Sequence, residues 1–225
     1  MKKWLLNEFW IGYSKFEKIY LLLMIILQIV VFILVPDSPL NIIAGISGVI
    51  SVVLCAKGKI SFYFVGFIQT GIYLILSLES KFYGEVAENI FYLVTMIYGI
   101  FVWKKNLNEN NSNQIKTNKF KSIDWFISLI ITIIFTFLIG YFLKSIGSEQ
   151  AYIDAATNVL AVIAQILMIK GYREQWVWWL AINILCLIMW ARVGNYSMVA
   201  MYIAWILNCI YGWINYTKLN KKKEE

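Results

Sequence analysis

The stretch 174–190, EQWVWWLAINILCLIMW, decides how this sequence is interpreted. Besides Gln175 at its start, it carries one carboxamide, Asn183, deep inside an apolar run long enough to cross a membrane as a helix. On a helical wheel Trp176, Trp179 and Asn183 share one face, and Trp190 continues it. Such a face suits a flat polar molecule. Tryptophan also marks membrane interfaces and asparagine also bonds neighbouring helices, so the residues alone leave both interpretations open.

The composition is that of an integral membrane protein. Of 225 residues, 60% are hydrophobic and 15% are charged, which is too apolar for a soluble domain of this size. The chain has no histidine, which excludes imidazole-based haem, metal and nucleophile sites, and we expect neither a metal nor a cofactor. Its three cysteines lie singly in apolar runs, as small core residues do. An enzyme is therefore the least favoured class, and we assign no catalytic residues.

Eight apolar segments predict an all-α membrane protein. Residues 4–17 are aromatic and mixed in charge, as expected of a segment lying along the headgroup layer. The segments that follow are 17 to 21 residues long, enough to cross a hydrocarbon core about 30 Å thick. Because unpaired backbone groups are costly in lipid, these segments must be helices. We place them at about 19–35, 40–56, 60–78, 85–103, 123–143, 153–169, 175–191 and 197–216.

The basic residues predict the orientation. Cytoplasmic loops attract Lys and Arg, and with a cytoplasmic N-terminus 17 of the 20 basic residues fall on the inner side. Only Lys81, Lys144 and Arg192 fall outside. The lysines cluster at the ends of apolar runs, so the formal charge of +7 reflects topology rather than nucleic-acid binding. We expect eight transmembrane helices with both termini cytoplasmic.

The sequence also contains an internal repeat. Residues 57–103 align with 170–216 without gaps at a constant offset of 113 positions, and eleven of the 47 positions are identical. Four helices separate equivalent elements, which predicts parallel rather than inverted repeats. The predicted organisation is an interfacial segment and extra helix at 1–39, a first three-helix repeat at 40–103, a cytoplasmic loop and linker helix at 104–152, a second three-helix repeat at 153–216 and a cytoplasmic tail at 217–225.

Polar groups deep in the helices are the candidates for cargo binding, because parallel-repeat transporters bind their cargo near the middle of the bilayer. Indole faces stack on flat rings and attract cations, whereas Asn and Gln match a carboxamide or ribose hydroxyls. Helix-to-helix bonds worth about 0.6 to 2 kcal/mol explain buried amides equally well. The candidate substrate-binding residues are Trp176, Trp179, Asn183, Gln69, Thr70, Glu88, Asn89 and Asn208.

The run 174–183, E-Q-W-x-x-W-x-x-x-N, follows Lys170-Gly171 and precedes a helix that contains Tyr211-Gly212. In these features the chain resembles the PnuC family of bacterial vitamin transporters over about 40–216, most of all its nicotinamide riboside members. The resemblance implies two three-helix bundles joined by a linker helix, as in the SWEET sugar transporters. It also implies a homotrimer in the bacterial inner membrane that imports nicotinamide riboside by facilitated diffusion, with a cytoplasmic kinase trapping the product.

The resulting hypothesis is a uniporter with alternating access. Trp176 and Trp179 would stack on the pyridinium ring, while Asn183 with Gln69 would bond the carboxamide or the ribose. No nucleotide-binding loop is present, so ATP drive is not indicated, whereas Glu88 leaves ion coupling open. Thiamine or riboflavin as the cargo, and a membrane scaffold that transports nothing, are the alternatives.

Overall fold

Eight α-helices make up most of the computed structural model, which describes residues 8, 13–34, 38–81, 83–147, 150–194 and 196–221. Within these residues the β-structure is one isolated bridge, which joins Asn118, between the fourth and fifth helices, to Tyr172, between the sixth and seventh. The predicted all-α class is confirmed. The helices are α1 Lys15–Leu34, α2 Pro39–Ala56, α3 Ser61–Glu79, α4 Tyr83–Glu109, α5 Ser122–Ser145, α6 Ala151–Ile169, α7 Gln175–Val193 and α8 Tyr196–Lys221.

The helices α1 to α6 are each long and apolar enough to cross a membrane. In α7 the apolar stretch Gln175–Met189 is shorter, and α8 lies where the eighth span was predicted. The largest differences from the predicted bounds are at the ends of α4 and α8, which continue to Glu109 and Lys221. Helical hydrogen bonds persist in water, so hydropathy marks where the bilayer ends rather than where the helix ends. Most of the predicted interfacial segment 4–17 lies outside the described residues.

The chain divides into two compact units, Met1–Ile115 and Lys116–Glu225. In the first unit α1 packs on α2, α2 on α3 and α3 on α4. In the second unit α5 packs on α6, α6 on α7 and α7 on α8. The predicted linker helix α5 therefore has the same place in its unit as the extra helix α1 has in the first. The segment boundaries predicted within each unit stay predictions.

The two units contain the same aromatic contact at the predicted offset. In the first unit the ring of Tyr63 meets Trp103 edge-on, with centroids 5.4 Å apart and planes at 80°. In the second unit Trp176 meets Tyr216 edge-on at 5.6 Å and 85°. Each residue of the first pair lies 113 positions before its counterpart in the second. This contact supports a duplication better than the identical positions do, because an apolar composition does not by itself produce matched geometry.

A side-chain hydrogen bond recurs at the same offset. Thr70 Oγ1 donates to Met96 Sδ at 3.9 Å, between α3 and α4. Asn183 Nδ2 donates to Cys209 Sγ at 3.4 Å, between α7 and α8. Different residues therefore occupy matched positions and make an equivalent bond. The helices of each repeat are held in the same register although most of the side chains have changed.

A buried ion pair links the start of α1 to the turn between α2 and α3. Glu17 Oε1 lies 2.8 Å from Lys57 Nζ, and about a tenth of each side chain is exposed. The ammonium also lies 4.7 Å from the centre of the Tyr13 ring. Burial raises the pKa of the Tyr13 phenol, and the carboxylates of Glu8 and Glu17 raise it further. In the second unit the counterpart of Lys57 is Lys170, which is exposed, so this buried ion pair is a feature of the first unit.

The segment between α4 and α5 is anchored to the turns that precede α3 and α7. In the first unit Gln114 Nε2 donates to Lys57 O and Ile115 N donates to Gly58 O, each at 2.9 Å. Ile115 is 2% exposed. Gly58 has a φ of 69°, which glycine adopts at little cost. The predicted loop 104–122 therefore begins only after Glu109 and is partly buried, because its polar groups pair with the turns.

The second unit holds the rest of the segment in the same manner. Asn118 N donates to Gly171 O at 2.8 Å, and Asn118 Nδ2 donates to Lys170 O at 3.0 Å. Thr117 is fully buried and its hydroxyl donates to Tyr216 O at 2.9 Å. Lys57-Gly58 and Lys170-Gly171, which match each other in the repeat alignment, are thus the pairs to which this segment bonds.

A prediction concerns Gly99, on α4 in the first unit. A Cβ at this position would overlap the end of the Tyr63 ring, which is itself fully buried against Phe62 and Trp103. We expect Gly99→Ala to lower the free energy of unfolding by about 1–3 kcal/mol, because the ring has no room to move. Thermal unfolding of the purified protein in detergent measures this change.

Gly71→Ala is the matched control, since a Cβ there meets nothing within 4 Å. Alanine favours a helix over glycine by up to about 1 kcal/mol, so this variant should be neutral or stabilised. Equal stability of the two variants would contradict the proposed tight packing at Gly99.

Candidate functional site

Trp176 is fixed in place by α8. The indole is 4% exposed and lies on Gly212, where a Cβ would overlap the ring. Its edge-on contact with Tyr216 fixes the plane of the ring. Among the described residues no acceptor takes the proton of Trp176 Nε1. The fold therefore positions this indole firmly, and its N–H donor is unused within the described part of the chain.

Two adjacent tryptophans on α7 have different surroundings. Trp178 is 5% exposed and belongs to a core cluster with Leu160, Ala164 and Leu167 of α6. Trp179 is only partly buried and packs at the edge of that cluster. Trp178 is thus a packing residue, whereas Trp179 keeps part of its ring surface available for contact.

Asn183 is a buried carboxamide with spare bonding capacity. It is 8% exposed, and its described bond is the one from Nδ2 to Cys209 Sγ at 3.4 Å. A carboxamide has two N–H donors and an oxygen acceptor, and sulfur is a weak acceptor. One weak bond therefore uses a small part of what Asn183 offers. On the neighbouring α8, Asn208 is 1% exposed and already has an interaction partner.

In the first unit, Gln69 and Thr70 lie together in the middle of α3. Gln69 is half-buried, and its amide is directed at Gly48 of α2, whose missing side chain makes the room. Thr70 is buried and bonded to Met96 of α4. These two candidates occupy the region where the three helices of the first repeat meet.

Glu88 and Asn89 lie in the first two turns of α4 and bond within that helix. Glu88 Oε1 accepts a hydrogen bond from Tyr92 Oη at 2.7 Å, which partly compensates the carboxylate for the loss of water. Asn89 Nδ2 donates to Glu85 O at 2.8 Å. This bond uses one of the two N–H donors of Asn89. Gln69 and Thr70 therefore lie together, whereas Glu88 and Asn89 each bond a residue one turn away on their own helix.

Gln175 lies in the E-Q-W-x-x-W-x-x-x-N run but is not among the residues predicted to bind the cargo. Its side chain has no exposed surface, and neither Nε2 nor Oε1 has a hydrogen-bond partner among the described residues. A buried unpaired polar group costs about 1–3 kcal/mol, so this side chain is an exception that needs an explanation. Its position one helical turn before Trp179 was the available signal, because i and i+4 share a face.

A charged cluster lies next to Gln175. The guanidinium of Arg173 is 4.1 Å from the centre of the Trp213 ring, and its Nη2 donates to Glu174 Oε1 at 3.0 Å. Glu174 is fully buried, and its second oxygen has no partner among the described residues. Arg173 also bonds Thr217 Oγ1 at 3.4 Å. Hydropathy does not reveal this cluster, since it lies just before the apolar run.

No group of three or more His, Cys, Asp or Glu side chains that could hold a metal occurs in the described part of the chain. The chemistry available in the second unit is instead that of indole faces, carboxamides and one buried ion pair. Such a set recognises a flat polar molecule through stacking and hydrogen bonding.

Comparison with known proteins gives consistent matches along the chain. A family model described as nicotinamide mononucleotide transporter matches residues 38–218. The nicotinamide riboside transporter PnuC of Haemophilus influenzae is 38% identical over 218 residues, which cover 96% of each chain. The protein of the same name from Neisseria mucosa is 34% identical and aligns with 97% of this chain and 87% of its own. A crystal structure of the vitamin B3 transporter PnuC has a TM-score of 0.83 at 32% identity and covers 99% of both chains.

Proposed function

Because this chain belongs to the nicotinamide mononucleotide transporter family, we propose that it is a membrane transporter that imports nicotinamide riboside. Two relatives that align along nearly their whole length carry the name nicotinamide riboside transporter. The family resemblance inferred from the E-Q-W-x-x-W-x-x-x-N run is confirmed. Thiamine, riboflavin and a scaffold role are not favoured by these matches.

The observation that carries the proposed site is the pairing of Trp179 with Asn183 on one face of α7. Nicotinamide riboside has a flat cationic ring, a carboxamide and ribose hydroxyls. The partly exposed indole of Trp179 offers a face for the ring, with the rigidly held Trp176 beside it. Asn183 offers a donor and an acceptor beyond its weak bond to Cys209.

The proposed mechanism is facilitated diffusion by alternating access. The resemblance supports inward movement down the cargo gradient, in the bacterial inner membrane, with three copies assembled in the bilayer. The placement of Lys and Arg supports cytoplasmic termini. The Tyr92 hydroxyl that bonds Glu88 gives the carboxylate a partner without any bound ion. We therefore propose uniport, with Glu88 as a structural acid.

The first of three functional predictions tests the identity of the cargo. A ligand that binds only the folded state stabilises it by about 2.7 kcal/mol at a concentration of 100 Kd. We expect nicotinamide riboside to raise the unfolding temperature of the purified protein and thiamine and riboflavin to leave it unchanged. A rise with either vitamin and none with nicotinamide riboside would replace the proposed cargo.

The second prediction tests the site on α7. We expect Trp179→Ala and Asn183→Ala each to weaken nicotinamide riboside binding about tenfold or more, since stacking and hydrogen bonding each contribute about 1–2 kcal/mol. Isothermal titration on purified protein measures the affinity. Ile184→Ala, on an exposed part of the same helix, is the control and should bind as the wild type does. Unchanged affinity in both site variants would reject the site.

The third prediction tests uniport. Glutamine keeps the acceptor that Glu88 presents to Tyr92 and removes the charge. We expect Glu88→Gln to take up nicotinamide riboside into proteoliposomes within about twofold of the wild-type rate, because the bond is retained. Neither protein should respond to an imposed proton gradient. Uptake that follows the gradient in the wild type and loses this response in the variant would establish proton coupling.

A further inference from the structure

Gln175 combines complete burial with two unpaired polar atoms. No part of the residue is exposed, and both Nε2 and Oε1 lack a partner in the described part of the chain. The N–H of the adjacent Trp176 lacks one too. The start of α7 therefore holds donors and an acceptor that the described protein does not use. A buried polar group without a partner destabilises the fold, so its presence indicates a functional role.

Packing does not require an amide at this position. The counterpart of Gln175 in the first repeat is Phe62, which is 3% exposed and packs against Trp103 with ring centroids 4.7 Å apart. A hydrocarbon side chain thus fills the equivalent place in the first unit without any unpaired polar atom. The amide in the second unit is a departure from the repeat that makes the fold less stable.

The position of Gln175 relates it to the site proposed on α7. Gln175, Trp179 and Asn183 follow one another at i, i+4 and i+8, so they share a face of the helix. At 1.5 Å per residue the two carboxamides are about 12 Å apart along the axis, with the indole between them. This span is on the order of the length of a nucleoside. The two ends of one cargo molecule can therefore meet the two amides.

We propose that Gln175 is a specificity-determining residue that recognises the carboxamide of the cargo, and this assignment rests on the proposed function. A primary carboxamide presents an N–H donor and an oxygen acceptor side by side, and a second carboxamide matches it with two hydrogen bonds. Asn183 then remains for the ribose hydroxyls. Because Gln175 is covered in this structure, the cargo reaches it only after neighbouring side chains have moved.

The test compares two ligands and two proteins. The ligands are nicotinamide riboside and a pyridinium riboside that lacks the carboxamide. We expect the wild type to bind the full ligand about tenfold more tightly or better, because the analogue leaves the buried amide unpaired. In Gln175→Met, which keeps the length of the side chain, the ratio of the two dissociation constants should fall to about one. The variant without ligand should unfold about 2–4 °C higher, since it buries no unpaired amide.

Gln28→Met on α1 is the matched control, because it makes the same chemical change at a half-buried position outside the site. It should keep the wild-type ratio. Should Gln175→Met fail to fold, Gln175→Leu removes both donors and the acceptor with a smaller side chain, and its ratio should also fall towards one.

Three outcomes separate the two proposals. A wild-type ratio that is retained in the folded Gln175 variant overturns the assignment of Gln175 and leaves the proposed function in place. A wild type that binds both ribosides equally also overturns the assignment alone. A wild type that binds neither riboside overturns the proposed function and the assignment with it.

Discussion

Hydrocarbon offers no hydrogen bond to a peptide group or to a polar side chain, and this constraint governs most of the structure. Backbone groups satisfy it by forming helices. Polar side chains satisfy it by local bonds, as Glu88 does with Tyr92 and Asn89 does with the Glu85 carbonyl. Where such a bond is weak or missing, as at Asn183 and Gln175, the residue is a candidate for contact with cargo. In this protein the unpaired groups therefore carry more functional information than the abundant tryptophans.

Each repeat meets the same packing problem with different side chains. A tyrosine in the first unit and a tryptophan in the second lie on a glycine of the last helix of their repeat. The hydrogen bond between the second and third helices of each repeat uses threonine and methionine in the first unit and asparagine and cysteine in the second. At these two positions of a common framework the second unit thus has tryptophan in place of tyrosine, and an amide in place of a threonine hydroxyl. Both replacements, Trp176 and Asn183, are residues that we assign to binding.

Much of the fold was predictable because hydropathy and loop charge report directly on the bilayer. The eight helices and the repeat followed from the length of apolar runs and from the Lys-Gly pairs. The burial of the loop after Glu109 was not predictable, since its Asn and Lys residues resemble a solvated linker and their partners lie far away in sequence. In the site, a helical wheel placed Trp179 and Asn183 on one face. It could not show that Trp178 is the core residue or that Gln175 has no hydrogen-bond partner for its side chain among the described residues, because both depend on neighbouring helices.

The anchoring of the short segment between α4 and α5 bears on the ancestry of the protein. Gln114 and Ile115 bond the first unit, whereas Thr117 and Asn118 bond the second, and Lys116 alone lies between them. A gene divided at this codon would encode two four-helix polypeptides, each of which keeps the connecting residues that bond to it. Together with the repeat at a constant offset of 113 positions, this division supports an origin by fusion of two half-length chains.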